Sequence, residues 1–169
     1  MNASFTAAGL AWFDHPHEYH LPWLPDGDRF DDCEVKLTEG ITAEIRSSTF
    51  NPLYPGLMLI LTVPEITFLV TEKAREESGA SVAKGMLCNE EISVLRGGQT
   101  IIKDRPCAVE TQRKSVTLQL NAETNQITQT DILCFDCAYY RIDQIIKEPV
   151  ADDNCGILKL QCSFLRVQR

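Results

Sequence analysis

The chain has 169 residues, of which 44% are hydrophobic and 24% are charged, so it is long enough to form a globular domain with a sizeable core. Its formal net charge of −8 argues against a nucleic-acid-binding surface, because such a surface needs clustered Lys and Arg. The acidity is concentrated in residues 1–40, where eight acidic and two basic residues give a net charge of −6. This region is expected to be a solvated surface, to face a basic partner, or to line a passage that must not retain DNA.

The cysteine content and the first residues of the chain indicate the cellular compartment in which the protein is expected. The chain contains seven cysteines, an odd number, and its start lacks the basic stretch that begins a secretory signal peptide. We therefore expect reduced thiols in a cytosolic protein. The longest apolar run, residues 57–61, is far too short to cross a bilayer, so no membrane partner is predicted.

Residues 1–30 are predicted to form an irregular arm, because proline and glycine interrupt any helix or strand in this stretch. Aromatic side chains are nevertheless concentrated here. Such a segment either packs over the core of its own domain or reaches a neighbouring subunit, where aromatic side chains are favoured anchors. The aromatic residues concerned are Trp12, Phe13, Tyr19 and Trp23.

Beyond the arm, apolar and polar residues alternate in short runs, which is the period of half-buried β-strands. Residues 72–84 differ, because good helix formers begin the stretch and Gly79 interrupts it. We predict at most one short helix there, or a long flexible loop. The strands predicted before it are residues 33–37 and 41–45, which form a hairpin, the apolar residues 56–63, and residues 66–70.

The second half of the chain continues the same pattern, with Gly97 and Gly98 as a tight turn and residues 100–102 and 107–111 as separate strands. Its last third has the most regular alternation of strands and turns. The turns are predicted at residues 122–126, 135–138 and 152–156. About ten strands at short spacing predict a mainly β fold, an antiparallel barrel or sandwich, as a single domain over residues 31–169 after the arm.

Two groups of residues are candidate metal ligands, although no cofactor is predicted. Cys134 and Cys137 have the CxxC spacing that holds two corners of a zinc tetrahedron, and Cys155 and Cys162 are available as further ligands. The alternative is that the pair flanks a β-turn, with its thiols packed as small hydrophobes. A redox pair would need a βαβ setting, which is absent.

The second candidate group is a histidine cluster in the arm. His15, His17 and His20 lie close together in sequence among acidic residues. They could form a zinc site, a segment that titrates near neutral pH, or an ordinary surface loop.

No motif of catalysis is present in the sequence. It contains neither a G-x-S-x-G nucleophile elbow nor a phosphate-binding P-loop, and no catalytic residue is predicted. Arg105, Arg113 and Lys114 form a basic cluster that is too small to predict nucleic-acid affinity. We therefore expect a protein that is not an enzyme.

The last third of the chain carries a recognisable succession of features. It runs from an apolar strand through an Asp-Ile pair and a Tyr-x-Ile strand to a proline, an acidic glycine turn and a closing strand that ends in Arg-Val. These features are Leu118 and Leu120, Asp131 and Ile132, Tyr140 and Ile142, Pro149, Gly156, and Arg166 and Val167. In this succession the chain resembles small head–tail connector proteins of tailed bacteriophages, of the head-closure or stopper type.

The resemblance implies a ring-forming structural protein of the virion neck, assembled in the host cytoplasm. It would join a portal or adaptor protein to tail proteins, and close or gate the DNA exit channel. DNA would pass transiently without specific binding. The implied subunit-interface candidates lie in the arm and in residues 72–84, namely Trp12, Phe13, Trp23, Glu72, Arg75 and Glu76.

A different class of function remains open from the sequence. A β-barrel or sandwich of this size is also compatible with a cytosolic module that binds a protein or a carbohydrate.

Overall fold

The computed structural model describes residues 19–20, 33–48, 53–62, 65–150 and 155–167. The chain divides into two compact units, Met1–Leu87 and Cys88–Arg169, where the sequence led us to expect one domain over residues 31–169. Each unit has its own hydrophobic core, which is why two units result. Strand-like alternation continues on both sides of this division, so local sequence patterns do not mark it. The arm predicted over residues 1–30 lies outside the described residues except for a two-residue strand.

The first unit is a seven-stranded antiparallel sheet. Its strands follow the order β1-β4-β5-β7-β3-β2, and β6 pairs with β7 beside this path. The strands are β1 Tyr19–His20, β2 Cys33–Glu39, β3 Thr42–Ser48, β4 Met58–Thr62, β5 Glu65–Val70, β6 Arg75–Glu77 and β7 Ala80–Leu87. The hairpin predicted from residues 33–37 and 41–45 is confirmed by the pairing of β2 with β3.

Alternating side chains of these strands build the core of the first unit. Val35, Ile45 and Phe68 are fully buried, as their period of two requires. Gly85 lets β5 approach β7 closely, because a Cβ at this position would lie 2.8 Å from the carbonyl oxygen of Leu69. The sheet therefore depends on the absence of a side chain at residue 85.

The helix or loop predicted over residues 72–84 is wrong for residues 75–84, which belong to the β6–β7 hairpin. Ser78 and Gly79 form its turn, with φ of 52° and 77°. β7 pairs with β3 and β5 as well as with β6. Pairing between strands that are distant in sequence thus overrides the helix propensity of the acidic stretch before the turn.

The second unit is a closed six-stranded antiparallel barrel in the order β10-β13-β12-β11-β8-β9. It confirms the prediction of a mainly β fold with a barrel or sandwich. A short 3-10 turn at Thr124–Gln126 lies between β10 and β11. The strands are β8 Glu90–Arg96, β9 Gln99–Glu110, β10 Ser115–Leu120, β11 Ile132–Phe135, β12 Ala138–Pro149 and β13 Gly156–Val167.

Inward-facing side chains fill the barrel, among them Ile92, Leu118, Leu133 and Leu160. The sequence predicted two strands at residues 100–102 and 107–111, but β9 runs continuously through both. Register shifts in its pairing with β8 absorb the irregular residues between them, including Asp104 with φ of 48°. In the described ranges, no helix combines the length and the apolar character that crossing a membrane would require.

The β12–β13 hairpin consists of two 12-residue strands, and β13 has a paired neighbour on both sides along only part of its length. Residues 156–161 of β13 pair with β10 on one side and with β12 on the other. From Ser163 to Val167 the strand pairs with β12 alone among the described strands. The end of β13 therefore extends beyond its β10 neighbour, and this extension is where the candidate functional site lies.

Candidate interaction surface

The β11–β12 turn positions one wall of the site. Cys134 lies opposite Tyr139, and Phe135 lies opposite Ala138. The two turn residues, Asp136 and Cys137, have φ of 46° and 52°, in the left-handed region that a two-residue type I′ hairpin requires. The prediction of a turn at residues 135–138 is therefore confirmed. The tight turn sets the aromatic residues of β12 directly beside the end of β13.

An aromatic cluster connects the barrel core to the surface. The rings of Phe135 and Tyr140 stack with centroids 4.1 Å apart, and Phe164 meets Tyr140 edge-on at 5.9 Å. Phe135 is buried, whereas Phe164 is 55% exposed. Burial is the main cause that raises the pKa of Tyr140. The core thus supports an aromatic ring that remains largely in solvent.

A bulge places neighbouring residues of β13 on different faces. Tyr140 pairs with Phe164 and Tyr139 pairs with Arg166, so Leu165 is an extra residue in the ladder. Because Tyr139 and Tyr140 point to opposite faces of β12, their partners Phe164 and Arg166 do so too. The guanidinium carbon of Arg166 lies 5.2 Å from the ring centroid of Tyr139, within cation–π range.

Two adjoining clefts are formed around this bulge. One of about 650 Å³ is lined by Tyr139, Phe164, Arg166 and Val167. The other, of about 470 Å³, adds Leu95, Gly98, Ile132 and Leu165 to Tyr139 and Arg166. We call the five residues Tyr139, Phe164, Leu165, Arg166 and Val167 the β13 surface.

The β13 surface holds most of the exposed large apolar side chains of the described residues. Four such side chains are exposed, and three of them lie here: Phe164, Leu165 at 46% and Val167 at 62%. The fourth, Ile146, lies on the other part of β12. Single exposed apolar residues are ordinary on protein surfaces, but a contiguous group of them typically marks a contact site.

Arg166 gives this apolar surface an available positive charge. Within the described part of the chain, no carboxylate lies at ion-pair distance from it, and its recorded contact is with Tyr139. The neighbouring Arg141 is different, because its Nε lies 2.9 Å from Asp143 Oδ1. The β13 surface therefore combines aromatic and aliphatic side chains with one arginine that has no carboxylate partner among the described residues.

Of the predicted metal-ligand pair, Cys134 lies in β11 and Cys137 lies in the turn that follows this strand. Cys134 is half-buried, and burial raises its pKa, with the nearby Cys137 as a second cause. Among the residues that can be described, no group of three or more His, Cys, Asp or Glu is arranged to hold a metal ion. His15 and His17 lie outside the described residues, and His20 is described only as a backbone position in β1.

Of the predicted interface residues, the structure describes those in the stretch 72–84 but not those in the arm. Trp12, Phe13 and Trp23 lie outside the described residues. Glu72, Arg75 and Glu76 are exposed on the first unit. Glu72 accepts a hydrogen bond from Lys84 at 3.1 Å, and Arg75 pairs with Glu77 at 3.3 Å and Glu44 at 3.6 Å.

The basic cluster predicted from the sequence is largely neutralised. Arg105 forms an ion pair with Glu123, and Arg113 lies 3.8 Å from Glu110. These pairs leave little concentrated positive charge for binding nucleic acid.

Buried thiols of the second unit are held in their protonated form. Burial raises the pKa of Cys88 and of Cys162 to about 12, and it raises the pKa of Cys107 as well. A thiol that stays protonated near neutral pH is neither a nucleophile nor a metal ligand. Cys107 and Cys162 act as small hydrophobic residues of the barrel core, whereas Cys88 is half-buried and precedes β8.

The β13 surface was not identified from the sequence. The signal available was the break in alternation at Phe164 and Leu165, two consecutive apolar residues at the end of an otherwise regular strand. Comparison with known proteins adds no information, because no family model, no curated protein and no solved structure matches this chain.

Proposed function

We propose that this chain is a structural assembly protein, a head–tail connector of the head-closure type that acts as a multimeric ring. In this role it lies in the neck of a tailed bacteriophage after assembly in the host cytoplasm. It joins a portal or adaptor protein to the tail and closes or gates the DNA channel. The proposed role is structural and involves no catalysis.

The observation that carries the proposal is the β13 surface itself. Protein interfaces are enriched in aromatic residues and arginine around a desolvated centre, and this surface offers both beside exposed aliphatic side chains. It also lies within the stretch that resembles the connector proteins, since Arg166 and Val167 belong to the matching succession. The resembling stretch and the exposed contact surface therefore coincide.

Ring geometry is compatible with such a surface. A ring uses heterologous contacts, in which one patch of a subunit meets a different patch of the next. The β13 surface supplies one apolar patch. The exposed ion pairs of the β6–β7 hairpin supply a surface of different chemistry.

The charge of the chain also supports a passage role. A net charge of −8 repels DNA phosphates, so a ring of such subunits would not retain DNA that passes through it. Two arginines of the barrel are already paired with carboxylates, Arg96 with Asp131 and Arg141 with Asp143.

The second candidate function is a protein-binding module, which the same apolar clefts favour. A carbohydrate-binding role receives less support from this surface. Sugars bind to open aromatic faces, but one face of Tyr139 is covered by the guanidinium of Arg166.

The proposal is tested by measuring assembly of the full-length protein, alone and with the portal protein from the same genome. Mass photometry and negative-stain electron microscopy would report closed rings, or a stoichiometric complex at one end of the portal. Either result supports the connector role. A protein that forms neither species across the micromolar range, with portal in excess, contradicts it.

A further inference from the structure

We propose that the β13 surface binds the acidic aromatic segment around residues 12–14 of a second copy of this chain. This inference rests on the proposed multimeric function for its second copy. It adds the identity of the two contacting elements, which the ring proposal leaves open.

Arg166 is positioned to bind an anionic group. Its guanidinium carbon lies over the Tyr139 ring, 5.2 Å from the centroid, and it has no carboxylate partner among the residues described by the structure. A cation that is already held against an aromatic ring loses little conformational entropy when it accepts an anionic partner. The fitting ligand group is therefore a carboxylate that reaches Arg166, which lines both clefts.

The apolar walls of the two clefts are suited to aromatic side chains. Beside Arg166 the two clefts expose Phe164, Leu165 and Val167, and they have room for large side chains, with volumes of about 650 and 470 Å³. Aromatic side chains fill such clefts with large contact area and few rotatable bonds. The fitting ligand is a short peptide with aromatic residues next to an acidic one.

The chain contains a peptide of this kind near its start. Trp12 and Phe13 are directly followed by Asp14, and residues 1–40 as a whole carry a net charge of −6. The match is one of charge and residue type. Trp12 and Phe13 offer two aromatic side chains for the two clefts, and Asp14 offers a carboxylate for Arg166, which has no carboxylate partner in the described part of the chain. A contact between this segment and the next copy's β13 surface is heterologous, as a ring requires.

Binding is tested with a fluorescent peptide of residues 8–24 titrated with the full-length protein. The receptor carries Trp12→Ala, Phe13→Ala and Asp14→Asn, so that its own segment does not compete. We expect saturable binding by fluorescence anisotropy. Arg166→Gln in the receptor should weaken it by about tenfold or more, which corresponds to the loss of one charged contact.

Two matched controls separate binding from misfolding. Asp14→Asn in the peptide removes the carboxylate without touching the receptor, and it should weaken binding to a similar extent. Arg113→Gln removes an exposed arginine elsewhere on the second unit and should leave the affinity unchanged. Absence of binding, or a change of less than twofold with both Arg166→Gln and Asp14→Asn, overturns the proposal.

The second copy is tested by cross-linking. A photoreactive phenylalanine analogue is placed at residue 13 of an otherwise full-length chain, which is mixed with an unmodified chain labelled with a heavy isotope. We expect light-to-heavy cross-links that map to residues 139–167. Cross-links confined to one chain overturn the inference. If the peptide binds but no ring or portal complex forms, the connector function fails while the contact stands, so the two failures are distinguishable.

Discussion

Arg96 and Asp131 form a bidentate ion pair, with Nε to Oδ1 at 2.7 Å and Nη2 to Oδ2 at 2.8 Å. The side chain of Asp131 is completely buried, and it also accepts a hydrogen bond from the Thr128 amide at 2.8 Å. Arg96 in turn donates to the carbonyl oxygen of Gln126 at 2.8 Å. The pair therefore fastens the end of β8 to the segment between the 3-10 turn and β11, which leads into the aromatic wall of the β13 surface.

Replacement of Asp131 by Asn should lower the free energy of unfolding by about 2 kcal/mol, because charge-assisted hydrogen bonds to a buried group are lost. Urea denaturation followed by circular dichroism measures this change. Asp136→Asn is the matched control, since Asp136 is exposed and Asn tolerates its positive φ. The control should stay within about 0.5 kcal/mol of the wild type. Equal effects of the two substitutions would contradict the role assigned to the ion pair.

The same pair predicts a pH dependence with a defined sign. The hydrogen bond from Arg96 is the largest cause that lowers the pKa of Asp131 in the folded protein. A lowered pKa contributes stability above the ordinary carboxyl pKa, and this stability is lost as the pH falls through the lowered value. The stability difference between wild type and Asp131→Asn should be constant from pH 7 to about pH 5 and shrink below it. Denaturation series at several pH values measure it, and a difference that grows on acidification would refute it.

Local patterns predicted most strands correctly because the strand period is itself local. Residues 33–37 and 41–45 alternate, and they form β2 and β3. The β6–β7 hairpin was missed because its pairing with β3 and β5 involves residues distant in sequence. The division into two compact units is likewise not visible in local patterns, since the two cores are defined only once the strands are paired.

The β13 surface depends on the same kind of non-local information. Phe164 and Leu165 continue an apolar strand, and sequence alone predicts that such residues are buried. They are exposed because the pairing with β10 ends at Gln161 and a bulge falls at Leu165. In contrast, the turn between Cys134 and Cys137 was predictable, because a two-residue hairpin is specified by adjacent residues.

Gly85→Ala should destabilise the first unit by about 1–3 kcal/mol, because an added methyl group overpacks this site. Its Cβ would lie 2.6 Å from Ile45 Cδ1 and 2.8 Å from the Leu69 carbonyl oxygen, and the latter is backbone that cannot rotate away. Ser81→Ala on the same strand is the control, with an expected change within about 0.5 kcal/mol. Thermal or urea denaturation of both variants provides the measurement. A Gly85→Ala variant as stable as the control would show that β5 and β7 can separate without cost.

The cysteines of the second unit should react with thiol reagents in a definite order. Cys137 is exposed and should be alkylated first by iodoacetamide at pH 8. Cys107 and Cys162 are buried and have raised pKa values, so they should react only when the protein unfolds. Peptide mass spectrometry after timed quenching identifies the labelled residues. Labelling of Cys107 as fast as Cys137 would contradict the packing of the barrel.

Substitution of the exposed aliphatic residues should separate assembly from stability. Leu165→Ser together with Val167→Ser removes apolar area that already faces solvent, so the free energy of unfolding should change by less than about 1 kcal/mol. If the β13 surface is the contact site, the double variant should lose ring or portal complexes in mass photometry. Ile146→Ser removes another exposed aliphatic side chain, on β12 away from the bulge, and should leave assembly intact. Complexes that persist in the double variant, or are lost equally in Ile146→Ser, would place the contact elsewhere on the molecule. Because Tyr139 and Arg166 are untouched in both variants, the comparison isolates the apolar part of the surface from its charge.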